Sequence, residues 1–249
     1  MGKTIAITNQ KGGVGKTTVS VNLASGLNKR GKKTLLVDMD AQGNASASLG
    51  LIVEGGGKTI KDLMAEGGNP RDFMATVSSL EIIPSNNALK DIEETLVNGK
   101  SYDVLKKALA PITKDYDYII LDCPPSINAF TKNALAMSEH IIIPVDVGYF
   151  SLLGLKQLLE EIELAKKIVN PKLSILGVLA CKYDRRTSLS AQVFDTLKES
   201  FPDKLFKTTI RLSIDVVRSQ IQHKSVIDYN PGSNVAKDFQ QLIEEILNG

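Results

Sequence analysis

Short apolar runs alternate with longer amphipathic stretches along most of the chain. Lys3 to Thr8, Thr34 to Val37, Leu80 to Pro84, Tyr118 to Leu121, His140 to Val145 and Ile175 to Ala180 read as strands. Ile, Leu and Val fall at successive positions in these runs, so both faces of each strand are apolar. Such strands belong in a parallel sheet covered by helices on both sides. Helical periodicity falls between them, over Thr17 to Lys29, Ile60 to Glu66, Asp103 to Leu109, Thr131 to Met137, Leu152 to Val169, Ser190 to Ser200 and Val235 to Leu247, with a further helix expected over Ile214 to Gln222. The β-α-β-α order predicts an α/β fold: a doubly wound, mostly parallel sheet with helices on both faces. Glu54-Gly55-Gly56-Gly57-Lys58 reads as a flexible loop and Gly67-Gly68-Asn69-Pro70 as a second, neither long enough to separate domains. Residues 1–249 are therefore expected to form one domain.

Composition changes this picture little. A hydrophobic content of 43% and a charged content of 23% are ordinary for a globular chain. A net charge of +2 does not predict a nucleic-acid partner, but a local basic face depends on where charge sits, not on its sum. Cys123 and Cys181 form no CxxC pair and no disulfide framework, and both read as reduced, buried thiols. The first strand starts at Lys3, leaving no room for a signal peptide, and no apolar run approaches the ~18 residues of a membrane helix. The expected location is cytoplasmic.

The most informative segment is Lys11-Gly12-Gly13-Val14-Gly15-Lys16-Thr17-Thr18, between the first strand and the first helix. Glycines let successive backbone N–H groups turn into one concavity, which binds phosphate oxygens together with the helix N-terminus. Lys16 can reach the β- and γ-phosphates of a nucleotide, and the Thr17 hydroxyl can ligate Mg²⁺. The order strand, loop, Lys-Thr, helix is that of a P-loop NTPase. The first glycine of the usual GxxxxGK[ST] pattern is replaced by Gln10, and Lys11 follows it.

A phosphate loop with Mg²⁺ calls for carboxylates. Asp122 ends the apolar run Tyr118-Ile119-Ile120-Leu121, a Walker B arrangement, at the sheet edge where open α/β folds bind ligands. It is expected to support the metal through water. Leu35-Leu36-Val37-Asp38-Met39-Asp40 is a second strand ending in acids. On a continuing strand Asp38 and Asp40 would point the same way. Asp40 is the candidate for positioning an attacking water; Asp38 either supports Mg²⁺ or orients the loop. Gln42-Gly43-Asn44 follows as a switch-like loop.

Taken together, Lys11 to Thr18, Asp38-Met39-Asp40-Ala41-Gln42-Gly43-Asn44 and Leu121-Asp122-Cys123-Pro124-Pro125-Ser126 closely resemble the ParA/Soj family of DNA-partitioning ATPases. The resemblance runs from Lys3 to the last helix. Ala41 is a small departure, where the family usually has proline. The resemblance implies a deviant Walker A site in which Lys11 crosses a dimer interface to the partner's nucleotide. It implies a cycle in which ATP and Mg²⁺ promote a homodimer, the dimer binds double-stranded DNA without sequence preference, and a ParB/Spo0J-type protein stimulates slow hydrolysis. Such a protein would be nucleoid-associated and serve chromosome or plasmid segregation.

Candidates for phosphate contacts with DNA lie late in the chain. Arg185 and Arg186 follow a strand within Asp184-Arg185-Arg186-Thr187, and Arg218 and Lys224 accompany the helix expected over Ile214 to Gln222. Each reads equally as a solvated surface charge. Cys181-Lys182-Tyr183-Asp184 stands where P-loop relatives read the base, and Cys181 in place of asparagine favours adenine over guanine. Two rivals share the fold. A MinD-like membrane positioner would end in a basic amphipathic helix, but the polar face of Asp238 to Leu247 is acidic. An iron–sulfur or metabolic enzyme of the nitrogenase iron protein or dethiobiotin synthetase kind would need well-placed thiols, and Cys123 lies in an apolar context directly after Asp122.

Overall fold

The computed structural model describes residues 2–54, 57–147 and 153–249. Gly55 and Gly56 of the first expected loop, and Leu152 at the start of an expected helix, lie outside the described residues. The strands are β1 (Lys3–Ile7), β2 (Thr34–Asp38), β3 (Ala75–Val77), β4 (Leu80–Ile83), β5 (Tyr118–Asp122), β6 (His140–Asp146), β7 (Ser174–Tyr183) and β8 (Ile210–Arg211). The helices are α1 (Lys16–Lys29), α2 (Asn44–Ser48), α3 (Ile60–Glu66), α4 (Glu93–Asn98), α5 (Val104–Leu109), α6 (Ala129–Met137), α7 (Leu153–Ile168), α8 (Ser188–Ser200), α9 (Ile214–Ile221), α10 (Val226–Tyr229) and α11 (Asn234–Asn248).

The strands form one sheet in the order β3-β4-β2-β5-β1-β6-β7-β8. Every pairing is parallel except β3 with β4. The two-residue period of a strand divides each apolar run between two cores. Ala6, Leu35, Val37, Ile119, Leu121, Ile141 and Ile143 enter one core, with Leu105, Phe130 and Leu197 from the helices of that face. Ile5, Ile7, Leu36, Ile120, Ile142 and Leu179 enter the other, under α1 and α11. Close packing of α1 against α11 depends on Gly26, where a side-chain carbon would overlap Ile243 and Ile227.

Several elements differ from the sequence expectation. The antiparallel edge strand β3 interrupts the β-α-β-α order. It joins β4 through Ser78 and Ser79, both in the left-handed region at φ 48° and 70°. A two-residue hairpin of this kind usually advertises itself with Asn-Gly, and Ser-Ser carries no such signal. The short helices α2, α4 and α10 are too brief to show a periodic pattern. Strand β7 runs on to Tyr183, beyond the run expected to end at Ala180, so Cys181 and Lys182 belong to the strand.

Candidate functional site

The sheet order places β5 between β2 and β1, and their C-terminal ends are level. Asp122 is the register partner of Asp38 on one side and of Ile7 on the other. The phosphate loop leaves β1 at this edge. Asn9 anchors its first turn: its Nδ2 donates to the Pro144 carbonyl at 2.7 Å and its Oδ1 accepts the Lys11 N–H at 3.0 Å. Gly13 at φ 72° and Gly15 at φ 102° adopt backbone that L side chains rarely enter. Gly15 is also the N-cap of α1 and supplies no side-chain hydrogen bond to its first turn. The first N–H groups of α1 are therefore free to meet an anion along the helix dipole.

Lys16 is buried, and its Nζ donates to the Lys11 carbonyl at 3.0 Å. Burial lowers its pKa, while the charges of Asp122, Cys123 and Asp40 pull the other way. The Thr17 hydroxyl donates to Asp122 Oδ2 at 2.8 Å, and Ser20 Oγ donates to Asp122 Oδ1 at 2.7 Å. Thr17 and Ser20, three apart on α1, present their hydroxyls on one helix face. Both carboxylates at the strand ends are fully buried. Burial, then the neighbouring Asp38 charge, pushes the Asp122 pKa up; burial likewise pushes up Asp38, against the hydrogen bonds from Ser46 and the Asp40 amide.

Asp38 and Asp40 do not point the same way, which corrects the expectation of a continuing strand. Strand β2 stops at Asp38. Asp38 Oδ2 accepts the Ser46 N–H and hydroxyl at 2.9 and 2.7 Å, and its Oδ1 accepts the Asp40 N–H at 3.1 Å. Those bonds occupy its oxygens in holding the loop. Asp40 instead faces the cleft beside Lys16 and Thr17, its Oδ1 accepting the Gln42 N–H at 2.9 Å. Gly43, at φ 62°, brings the loop within reach of the Ser85 carbonyl, which a side-chain carbon would approach to 2.7 Å.

A cleft of about 610 Å³ opens at this edge. Gly12, Gly13, Gly15, Lys16, Thr17 and Thr18 line it from the loop, Asp40, Asn44, Ala47 and Ser48 from the switch-like segment, and Pro125 from the turn after β5. Lys182, Val217, Gln220, Ile221 and His223 close it from the C-terminal part of the chain. Lys182 and His223 are both left-handed, at φ 55° and 54°. Lys182 Nζ lies 3.6 Å from Asp146, and His223 Nδ1 lies 3.1 Å from the Ala47 carbonyl oxygen. Among the described residues no group of three or more His, Cys, Asp and Glu side chains could hold a metal ion by itself. The Thr17 hydroxyl at the cleft, with the Asp122 carboxylate behind it, fits a magnesium ion that takes its other ligands from phosphate and water. Cys123 and Cys181 are buried, and burial pushes both thiols above their ordinary range.

Arg185 and Arg186 lie on the turn after β7, and Arg218 and Lys224 lie in and just beyond α9, which follows the neighbouring parallel strand β8. Arg185 and Arg186 are exposed. Arg186 is engaged with Asp184 through Nε at 2.9 Å and Nη2 at 2.7 Å. Arg218 sits within α9, well exposed, with Asp215 at 3.7 Å, and Lys224 is exposed just beyond the helix. Sequence reasoning missed Asn9, Ser20, Ser46 and His223 as parts of this edge. Only Ser20 had a readable signal, its three-residue spacing from Thr17.

A family described as an AAA domain matches residues 2–175. The sporulation initiation inhibitor protein Soj of Bacillus subtilis (strain 168) is 43% identical over 249 residues, covering 99% of this chain and 98% of that protein. The chromosome-partitioning ATPase Soj of Treponema pallidum (strain Nichols) is 38% identical over 250 residues, covering 99% of this chain and 98% of that one. Among solved structures, cobyrinic acid a,c-diamide synthase from Mycobacterium smegmatis with bound ATP analogue and magnesium superposes with a TM-score of 0.88. The two are 27% identical, over 100% of this chain and 95% of the other.

Proposed function

This chain belongs to the AAA domain family and, within it, to the Soj/ParA chromosome-partitioning ATPases, and on that premise we propose that it is an ATP-gated switch for DNA segregation. Its cofactors are ATP and Mg²⁺. The observation that carries the reading is the convergence of the phosphate loop, Lys16, Thr17, Asp40 and Asp122 on one sheet edge. The backbone amides of Gly12 to Thr18 and the Lys16 ammonium hold the triphosphate. Thr17, backed by Asp122, holds the magnesium, which neutralises charge on the phosphates. Asp40 orients the attacking water, and Asp38 keeps Asp40 in place through its bonds to Ser46 and the Asp40 amide. Lys11 supplies the contact to the partner's nucleotide across a homodimer.

The ATP-bound dimer binds double-stranded DNA non-specifically through Arg185, Arg186, Arg218 and Lys224. A ParB/Spo0J-type protein stimulates a slow hydrolysis that releases it. The protein acts in the cytoplasm on the nucleoid. Among the described residues no helix is long and apolar enough to cross a membrane. The apolar face of α11, with Phe239, Leu242, Ile243 and Ile246, is buried in the core, so this helix has no face left for a MinD-like lipid contact. A DNA gel shift with ATP, ADP and no nucleotide, at two salt concentrations, tests the proposal. A shift with ATP alone that weakens with salt is expected; equal shifts in all three conditions overturn it.

A further inference from the structure

We infer that Asn9 is a positioning residue for Lys11: its side chain fixes the backbone from which Lys11 reaches the partner's nucleotide. This rests on the reading of Lys11 as the contact across the homodimer.

Strand β1 hands over to the phosphate loop through this one side chain. The Thr8 N–H still donates to the Ile142 carbonyl of β6, at 3.2 Å. Two residues further along β6, the Pro144 carbonyl accepts from Asn9 Nδ2 at 2.7 Å. A side chain thus supplies the next rung of the ladder while the main chain turns away. Its Oδ1 meanwhile accepts the Lys11 N–H at 3.0 Å. A primary amide donates and accepts from separate atoms, so it can hold both partners at once. The short asparagine stem also suits the tight turn to an N–H two residues on. Asn9 is 6% exposed, so water competes little for either bond.

The residues after Lys11 give it no such support. Gly12 and Gly13 are exposed, and the space a side chain would take at either is open. The Lys11 carbonyl is held by the Lys16 ammonium at 3.0 Å. A triphosphate draws that ammonium toward its own oxygens, whereas the Asn9 bonds use no group for which phosphates compete. A lysine stem is flexible, so its ammonium is placed only as well as the backbone that carries it. A loose backbone adds freedom that the contact across the interface must remove. Losing Asn9 therefore weakens the dimer while the N-terminus of α1 still holds phosphate.

The test measures self-association in Mg²⁺-ATP by sedimentation and Mg²⁺-ADP binding by titration calorimetry. ADP lacks the γ-phosphate and reports on the loop of a single subunit. Asn9→Ala should weaken the ATP-dependent dimer about tenfold with ADP affinity unchanged. Asn9→Ser can accept the Lys11 N–H but is too short to reach Pro144, and it should show the same split in smaller measure. Its milder change keeps the test open if Asn9→Ala does not fold. Unchanged dimerisation in the Asn9 variants overturns the inference. So does an equal loss of ADP affinity and dimerisation, which would make Asn9 a support for the whole loop. Lys11→Ala is measured alongside. If it dimerises as the unmodified protein does, the reading of Lys11 itself fails, and the role of Asn9 fails with it. If Lys11→Ala weakens the dimer and the Asn9 variants do not, only the present inference is lost.

Discussion

The side-chain oxygen of Asn22 accepts the backbone N–H of Val226 at 2.8 Å, although 204 positions separate them. The same side chain donates to the Thr18 carbonyl at 2.8 Å. One buried amide thus ties the first turn of the phosphate-binding helix to the segment that follows Lys224. Ser25, Ser225 and Asp228 reinforce the junction with hydrogen bonds of 2.6 to 2.9 Å.

Asn22→Ala should lower stability by about 1–3 kcal/mol, because it leaves the buried Val226 N–H without an acceptor. Thermal unfolding in the absence of nucleotide measures this. An unchanged Tm would mean that the bond holds nothing together.

Without Mg²⁺, stability should fall as pH rises from the ordinary carboxylate pKa, about 4, toward neutrality. Asp122 and Asp38 have folded pKa values raised by burial, with the Asp38 charge adding to the shift of Asp122 and the Asp40 charge to that of Asp38. The folded state therefore binds more protons than the unfolded state in that window, and ionisation works against folding. Asp122→Asn removes one such group and should flatten the slope between pH 5.5 and 8. Parallel slopes for both proteins would contradict the assignment.

Lys16→Ala should weaken ATP binding by on the order of 100-fold, since it removes a charged donor from the phosphate site. Nucleotide-dependent dimerisation, followed by sedimentation, should vanish with it. An ATP-dependent dimer of unaltered strength would refute the placement of the triphosphate.

Asp40→Ala should retain ATP yet hydrolyse it on the order of 100-fold more slowly, leaving the dimer trapped. Phosphate release in the presence of the stimulating partner is the readout. Normal stimulated release would remove Asp40 from the water-positioning role.

Arg218→Glu should weaken DNA retention and flatten its salt dependence while ATP binding stays intact. Filter binding across a salt series measures both. If retention is unaffected, the DNA face lies elsewhere, with Arg185 and Lys224 the next residues to change.

The parts legible in the sequence are those whose geometry is local. Gly13, Gly15, Lys16 and Thr17 lie within two turns of chain, so backbone freedom at glycine and the N-terminus of α1 already determine an anion site. The apolar runs likewise determine a sheet buried on both faces, because each strand divides its side chains between two cores. Tertiary structure decided which distant groups meet there. The order β2-β5-β1 put Asp122 under Thr17, 105 positions away. The end of β2 turned Asp38 toward Ser46 and left Asp40 to the cleft. Packing of the C-terminal segment on α1 brought Val217, Ile221 and His223 over the phosphate loop. A residue's neighbours in sequence constrain its own backbone, whereas the choice of a partner strand or helix depends on the free energy of burying whole faces, which no short stretch of chain contains.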